Sequence, residues 1–264
     1  MSDRRYIFGI ASYKRPDRQP MLLLLHEIGY TKDEIVLSTQ TQEDYEEYSE
    51  RYGEMAQVIY GEAHSVGGNK NTLMRYVMEH YPDKSLVVCS DKVRGVGVWE
   101  RGAKDIRYIE DINEMDSIIR KAFGVTRQLK GSLWGVYPVG NTFYMAHNTT
   151  INQQMLGCFM GFVKPSADFL FDEEQVLKED FEIIMRHISR GHRAIRFNDL
   201  CLKATLHTQG GCHAAWNSDG DSVNRECTFR LLSAYPKLVA KHATRENEVR
   251  YIGPTKVINK SILD

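Results

Sequence analysis

Short apolar runs alternate with amphipathic stretches through the first ninety or so residues, and their lengths separate strand from helix. Residues 6–12 (YIFGIAS) form a β-rich apolar run halted by Tyr13-Lys14-Arg15-Pro16-Asp17, where proline and aspartate favour a turn. This predicts a buried first strand ending in a loop. Residues 21–28 predict a short helix closed by Gly29, residues 34–38 a second strand, residues 43–52 a polar helix and residues 56–60 a third strand. After a loop Val66-Gly67-Gly68-Asn69 come a helix over 70–80 and a fourth strand over 85–89. Such alternation predicts an α/β fold with a mostly parallel, Rossmann-like sheet covered by helices.

The second half is patterned differently. A helix is expected over 112–123, but residues 131–162 are rich in Gly, Asn, Thr and aromatics, which suits strands and loops better than another βαβ unit. Val176, Leu177, Phe181, Ile184, Met185 and Ile188 lie on one helical stripe within 173–190, with Gly191 as C-terminal cap, and a strand follows over 194–197. The tail after Tyr235 is polar and basic in places. With no repeat, low-complexity tract or long linker, the expectation is one domain over 1–264.

The chain has 264 residues, 42% of them hydrophobic and 26% charged, which suits a globular protein and excludes a mainly disordered or collagen-like one. Its 34 basic and 35 acidic residues leave a formal net charge of −1, so any nucleic-acid contact must come from a local patch. One such patch is Arg186, Arg190, His192, Arg193 and Arg196 around a helix end; another is Lys237, Lys241, Arg245 and Arg250 in the tail. Five cysteines without CxxC spacing argue against a disulfide framework or zinc ribbon. No run resembles a secretion signal or membrane span, so the expected location is cytoplasmic, with no membrane partner.

In open α/β sheets, ligands bind beyond the carboxyl ends of the strands. The loop after the first strand carries Ser12, Tyr13, Lys14 and Arg15, an aromatic able to stack on a base beside cations able to meet phosphate. After the third strand, Gly67 and Gly68 allow close backbone approach, and Asn69 and Lys70 follow at a helix N-terminus, although Asn69 or Asn71 can equally be a plain helix cap. The fourth strand delivers Ser90-Asp91-Lys92, where one carboxylate can hold a divalent cation and Lys92 stands in place of a second acid. Glu179 and Asp180 point about 100° apart on a helix, so at most one faces a cleft as a base. His213 follows Gly210-Gly211-Cys212, a setting that can bend a ring toward a metal or phosphate; Cys212 beside it is a weak nucleophile candidate, because catalytic Cys–His pairing is spatial.

In this order, Ala11-Ser12-Tyr13-Lys14-Arg15-Pro16, the acidic run from Glu43 to Tyr48, Val66 to Asn71, Ser90-Asp91 and Glu179-Asp180 resemble the landmarks of a GT-A nucleotide-sugar glycosyltransferase. More narrowly, Leu133 to Pro138, Lys178 to Gly191 and Ile195 to Asn198 look like phage glycosyltransferases that modify hydroxymethylated pyrimidines in DNA. The resemblance implies a donor-binding half over about 1–130, an acceptor half over about 131–235 and a tail over 236–264. It implies a nucleoside diphosphate sugar, UDP the expected nucleotide, as donor and 5-hydroxymethylcytosine or hydroxymethyluracil in phage DNA as acceptor, the enzyme then working in the host cytoplasm. Donor residues would be Ser12, Tyr13, Arg15, Gly67, Gly68, Asn69, Lys70, Ser90 and Asp91. Asp91, with His213 as candidate second ligand, would hold Mn2+ or Mg2+, a role that the incomplete Asp-x-Asp run puts in question. Asp180 or Glu179 would be the base of an inverting reaction, which a retaining enzyme would not need, and Arg186, Arg190, Arg193 and Arg196 would meet DNA. The same donor residues would serve an enzyme acting on a polysaccharide or protein, or a non-catalytic sugar-nucleotide-binding module.

Overall fold

The structure is a computed structural model; it describes residues 4–204 and 213–264, with side chains described except for 213–220. Strands β1 (Tyr6–Ala11), β2 (Ile35–Thr39), β3 (Gln57–Tyr60) and β4 (Ser85–Ser90) alternate with helices α1 (Pro20–Glu27), α2 (Gln42–Tyr52) and α3 (Val66–His80). They form a parallel sheet in the order β3-β2-β1-β4. Then come β5 (Val93–Val98), β6 (Arg107–Tyr108), α4 (Ile112–Gln128), β7 (Gly131–Tyr137), β8 (Thr149–Ile151), β9 (Phe159–Phe162), α5 (Glu179–Ser189), β10 (Arg193–Ala204) and α6 (His213–Ala234). The chain closes with β11 (Val239–Lys241), β12 (Val249–Tyr251) and β13 (Lys256–Ile258).

β9 runs antiparallel against β4, and β7 antiparallel against β9, so β7 and its parallel neighbour β10 point the same way as β1 to β4. The carboxyl ends of β1, β4 and β7 therefore share one edge. The β sequence alternation divides the core into two layers. Phe8, Ile10, Ile35 and Leu37 pack with α1 and α4 on one face; Ile7, Val36, Leu86 and Val88 pack with α3 and α5 on the other. Burial on both faces is why β1, β2 and β4 read as nearly continuous apolar runs.

The expected α/β architecture is observed, and three local expectations are corrected. Val66 to Asn69 is the first turn of α3 and not a loop, because Ser65 caps the helix, accepting from the Gly68 N–H at 3.0 Å; neither Asn69 nor Asn71 is the cap. The helix expected from residue 173 begins at Glu179, since Lys178 is left-handed at φ 62°. The stretch before it is held in irregular form by Asn71, which donates to the Phe171 carbonyl and accepts from the Phe171 N–H. The polar tail is in part sheet: β13 pairs with β8, and buried Asp199 accepts from the Ser261 hydroxyl and the Ile262 N–H. Among the described residues no helix is long and apolar enough to cross a membrane.

Gly161 on β9 stands in register with Trp134 on β7, and a Cβ added there would fall 2.0 Å from the indole of that fully buried tryptophan. Gly161→Ala is expected to destabilise by at least the overpacking range of about 1–3 kcal/mol, read as a lower urea midpoint together with a shift in tryptophan emission. An unchanged midpoint would contradict this packing.

Candidate active site

Four elements converge at the shared strand edge. A chain of hydrogen bonds runs through the β1 loop: the Arg15 N–H donates to the Tyr48 hydroxyl (2.9 Å), that hydroxyl lies 2.8 Å from Ser12 Oγ, and Ser12 donates to Asp91 Oδ2 (2.8 Å). Gln19 Nε2 donates to Ser12 Oγ (2.8 Å) and to the Arg15 carbonyl (2.9 Å), which folds the loop back on itself. Each link polarises the next. Burial pushes the Tyr48 phenol well above its ordinary value, keeping it a neutral donor.

Asp91, 1% exposed at the end of β4, also accepts from Arg15 Nη1 at 2.9 and 3.0 Å. A divalent cation needs several oxygen ligands. Here the one carboxylate is occupied by a guanidinium, Lys92 follows it, and among the described residues no three His, Cys, Asp or Glu side chains converge. The described donor set does not fit a divalent ion. Asp91 accepts from Arg15 at the cavity wall, and the side chain of His213, the expected second ligand, lies outside the described residues.

From the opposite face, α3 contributes Asn69, whose amide donates to the Ser12 carbonyl (2.9 Å) and ties this helix to β1. The next residue, Lys70, is 3% exposed and pairs with Glu179 of α5 at 2.9 Å. Burial alone would lower the ammonium pKa, but attraction and hydrogen bonding to Glu179 outweigh it and hold the group charged. Asp180 accepts from the Phe181 N–H (2.8 Å) and the Gly157 N–H (3.2 Å). Desolvation, then the adjacent Glu179 charge, raise its pKa to about 6 against the opposing pull of Lys70 and the two backbone donors. Cys158, beside this group, is pushed by burial up to about 11 and Cys89 well above its ordinary value, so both stay thiols.

Ser12, Tyr13, Arg15, Asn69, Lys70, Ser90, Asp91, Glu179 and Asp180 all line one cavity of about 140 Å³. Both acids border it, although a straight helix would send only one inward: they stand at the first turn of α5, where Asp180 folds back onto its own backbone. Gly67 and Gly68 do not line it. A Cβ on Gly67 would meet that of Phe171 at 3.1 Å, and one on Gly68 would meet Ala63 at 3.1 Å, so these glycines let α3 pack closely. The sequence reading did not single out Gln40, Gly157 and Cys158, which complete the wall, or Tyr48 and Gln19, which brace it. Tyr48 carried a signal, an aromatic fully buried in an otherwise polar helix; Gly157 and Cys158 reach the site only through the β9 pairing.

Each of the four arginines expected to meet DNA has a local partner. Arg186 pairs with Glu182 at 2.7 Å, Arg190 donates to the Asp168 carbonyl over the Phe169 ring, and Arg193 donates to the Leu129 carbonyl at 2.9 Å. Arg196 is held by Asn198 (2.6 Å) and the Gln154 carbonyl (2.8 Å) above Tyr137, and burial lowers its pKa to about 10. Cys212 lies outside the described residues.

No protein-family model and no curated protein matches the sequence. Among solved structures, the chain is similar to the mannosyltransferase PcManGT from Pyrobaculum calidifontis, solved with GDP-mannose and Mn2+: 12% identity, TM-score 0.52, covering 87% of this chain. This chain spans 64% of the length of that one. It is also similar to a mycobacterial protein at 10% identity and TM-score 0.52, covering 98% of this chain and 85% of the other. These likenesses concern the fold, which is α/β of the GT-A glycosyltransferase type.

Two stability predictions follow from the buried charges. Lys70→Met leaves Glu179 beside Asp180 without its counter-ion and is expected to cost about 3–5 kcal/mol in chemical denaturation. Asp180 takes up its proton near pH 6 in the folded protein and near pH 4 when unfolded, so the stability linked to its protonation is complete below about pH 4 and lost as pH rises through 6. Asp180→Asn, which cannot ionise, should therefore raise Tm over wild type at pH 7.5, with the gap closing below pH 4. A gap that widens on acidification would refute the assignment.

Proposed function

We propose that the protein is a nucleotide-sugar glycosyltransferase with Asp180 as general base. The observation that carries this reading is the meeting, in one cavity at the strand edge of a GT-A fold, of cations from the β1 and β4 loops with a buried carboxylate whose pKa is about 6. The donor lies with its base against Tyr13 and its diphosphate toward Arg15, Lys92 and the polar Ser12, Asn69 and Ser90. The acceptor hydroxyl gives its proton to Asp180 as its oxygen bonds to the anomeric carbon; the bond from that carbon to the diphosphate oxygen breaks, and the electron pair leaves with the nucleoside diphosphate. This single displacement inverts the anomeric centre. Arg15, preoriented by Asp91, meets the charge that grows on the leaving group. Lys70 holds Glu179 and keeps Asp180 ionised at neutral pH. A bound divalent ion, as in the mannosyltransferase, would supply further charge at the diphosphate; the described residues provide no ligand set for it.

The acceptor we propose is the hydroxymethyl group of 5-hydroxymethylcytosine or hydroxymethyluracil in phage DNA. This part rests on the sequence resemblance; Arg186, Arg190, Arg193 and Arg196 are the residues proposed to meet the DNA phosphates. Polysaccharide or protein acceptors use the same donor cavity. Mass spectrometry of nucleosides from hydroxymethylated and unmodified DNA, incubated with the protein and a panel of sugar nucleotides, separates them: a sugar adduct on the former alone supports the DNA acceptor, and none on either, despite donor binding, removes it.

For the base, Asp180→Asn should lower kcat by about 10²–10⁴-fold with donor affinity nearly unchanged, and wild-type kcat should fall as pH drops through about 6. Arg15→Ala should weaken donor binding by about 1–3 kcal/mol in calorimetry. Wild-type kcat in Asp180→Asn would remove the base from this reading.

A further inference from the structure

A second cavity, of about 280 Å³, adjoins the first and shares Arg15 and Lys92 with it. Its remaining walls are Asp17, Arg18, Gln19, Pro20, Leu23 and Arg94. Four cations thus face a space that holds one carboxylate, and that one, Asp17, is ion-paired with Arg51 outside it. Like charges gathered at one concavity raise each other's energy unless an anion joins them. Arg15 is committed to Asp91, but the guanidinium groups of Arg18 and Arg94, both exposed, make no hydrogen bond or ion pair with the described residues.

Two further features suit the same ligand. α1 begins at this wall with Pro20, and its first turn has neither an acidic residue nor a side-chain cap, so its positive end is left for an outside anion. Gln19 is 1% exposed and lines the cavity with a carboxamide whose Nε2 is used and whose Oε1 has no hydrogen-bond partner.

We propose that this cavity is a second anion subsite, in which Arg18 and Arg94 hold a phosphate group of the acceptor. The inference rests on the reading of the first cavity as the donor site, because the shared Arg15 and Lys92 wall would then place this acceptor phosphate beside the donor diphosphate, with the rest of the acceptor reaching across to Asp180. Free phosphomonoesters and the phosphodiesters of a nucleic acid offer the same chemistry, and a small probe of each tells them apart.

The test is a ³¹P NMR titration of the full chain, first saturated with UDP, by methyl phosphate and in a separate series by dimethyl phosphate. Wild type should bind at least one of them with UDP in place, and the Arg18→Ala/Arg94→Ala variant should bind it at least tenfold more weakly while keeping its UDP affinity and Tm. Preference for methyl phosphate identifies a monoester acceptor; dimethyl phosphate bound as well or better identifies a diester backbone. If UDP itself fails to bind, the donor reading falls, and the same titration of the free protein against the double variant still decides the subsite. Absence of phosphate binding in wild type, or equal binding in the double variant, overturns the proposal.

Discussion

The open edge of the sheet depends on the buried ion pair between Lys70 and Glu179. It joins α3, which belongs to the parallel βαβ half, to α5, which belongs to the irregular half, across 109 positions of sequence. At 4% and 13% side-chain exposure, neither group can fall back on water, so each stays where the other holds it. Their contact fixes how near α5 comes to the strand ends, and hence where Asp180 stands. On the other side of the same cavity, Arg15 and Asp91 perform the equivalent service for the β1 and β4 loops. Two mutually satisfied pairs thus frame a space whose own charges are not free to collapse onto one another.

The framing also separates charge. Arg15 and Lys92 belong to loops at the ends of β1 and β4, while Glu179 and Asp180 arrive on α5 from the opposite face. A reaction that discards an anion and abstracts a proton needs this polarity, with cations by the leaving group and a base by the nucleophile. Because the strand edge sets both positions, the arrangement survives rotamer changes that would blur a site built on one loop.

The parallel half of the fold was legible because its strands are buried on both faces and its helices amphipathic, so periodicity and position agree. The second half was less so. β10 is twelve residues long with three register shifts and changes partners from β7 and β8 to β5, a behaviour that no local pattern announces. α6 was not foreseen, since its Asn-Ser-Asp-Gly-Asp-Ser run opposes helix propensity. In the site, residues on strand ends were legible and their partners were not. Asp91 stands where an apolar strand delivers it, but the Arg15 Nη1 that donates to both its oxygens depends on a fold of the β1 loop secured by Gln19 and Tyr48. The local partners of the arginines were equally hidden: Arg186, Arg190, Arg193 and Arg196 each meet a carbonyl, carboxylate or amide that sequence spacing does not reveal.

Asp180 shows how the framing becomes chemistry. A carboxylate left in water is too weak a base to draw a proton from a hydroxyl, and a carboxyl group simply buried would hold its proton at neutral pH and be no base at all. Burial and the adjacent Glu179 charge push the group toward protonation; the Lys70 ammonium and the N–H groups of Gly157 and Phe181 pull it back. The outcome, near 6, leaves a carboxylate that is ionised at neutral pH and still more basic than one in solvent. Beside burial and the two backbone donors, Glu179 enters on both sides: it repels Asp180 directly and anchors the Lys70 charge that steadies it. Glu179 therefore contributes to the basicity of its neighbour, and the pair that joins α3 to α5 at the sheet edge also tunes the carboxylate proposed as the base.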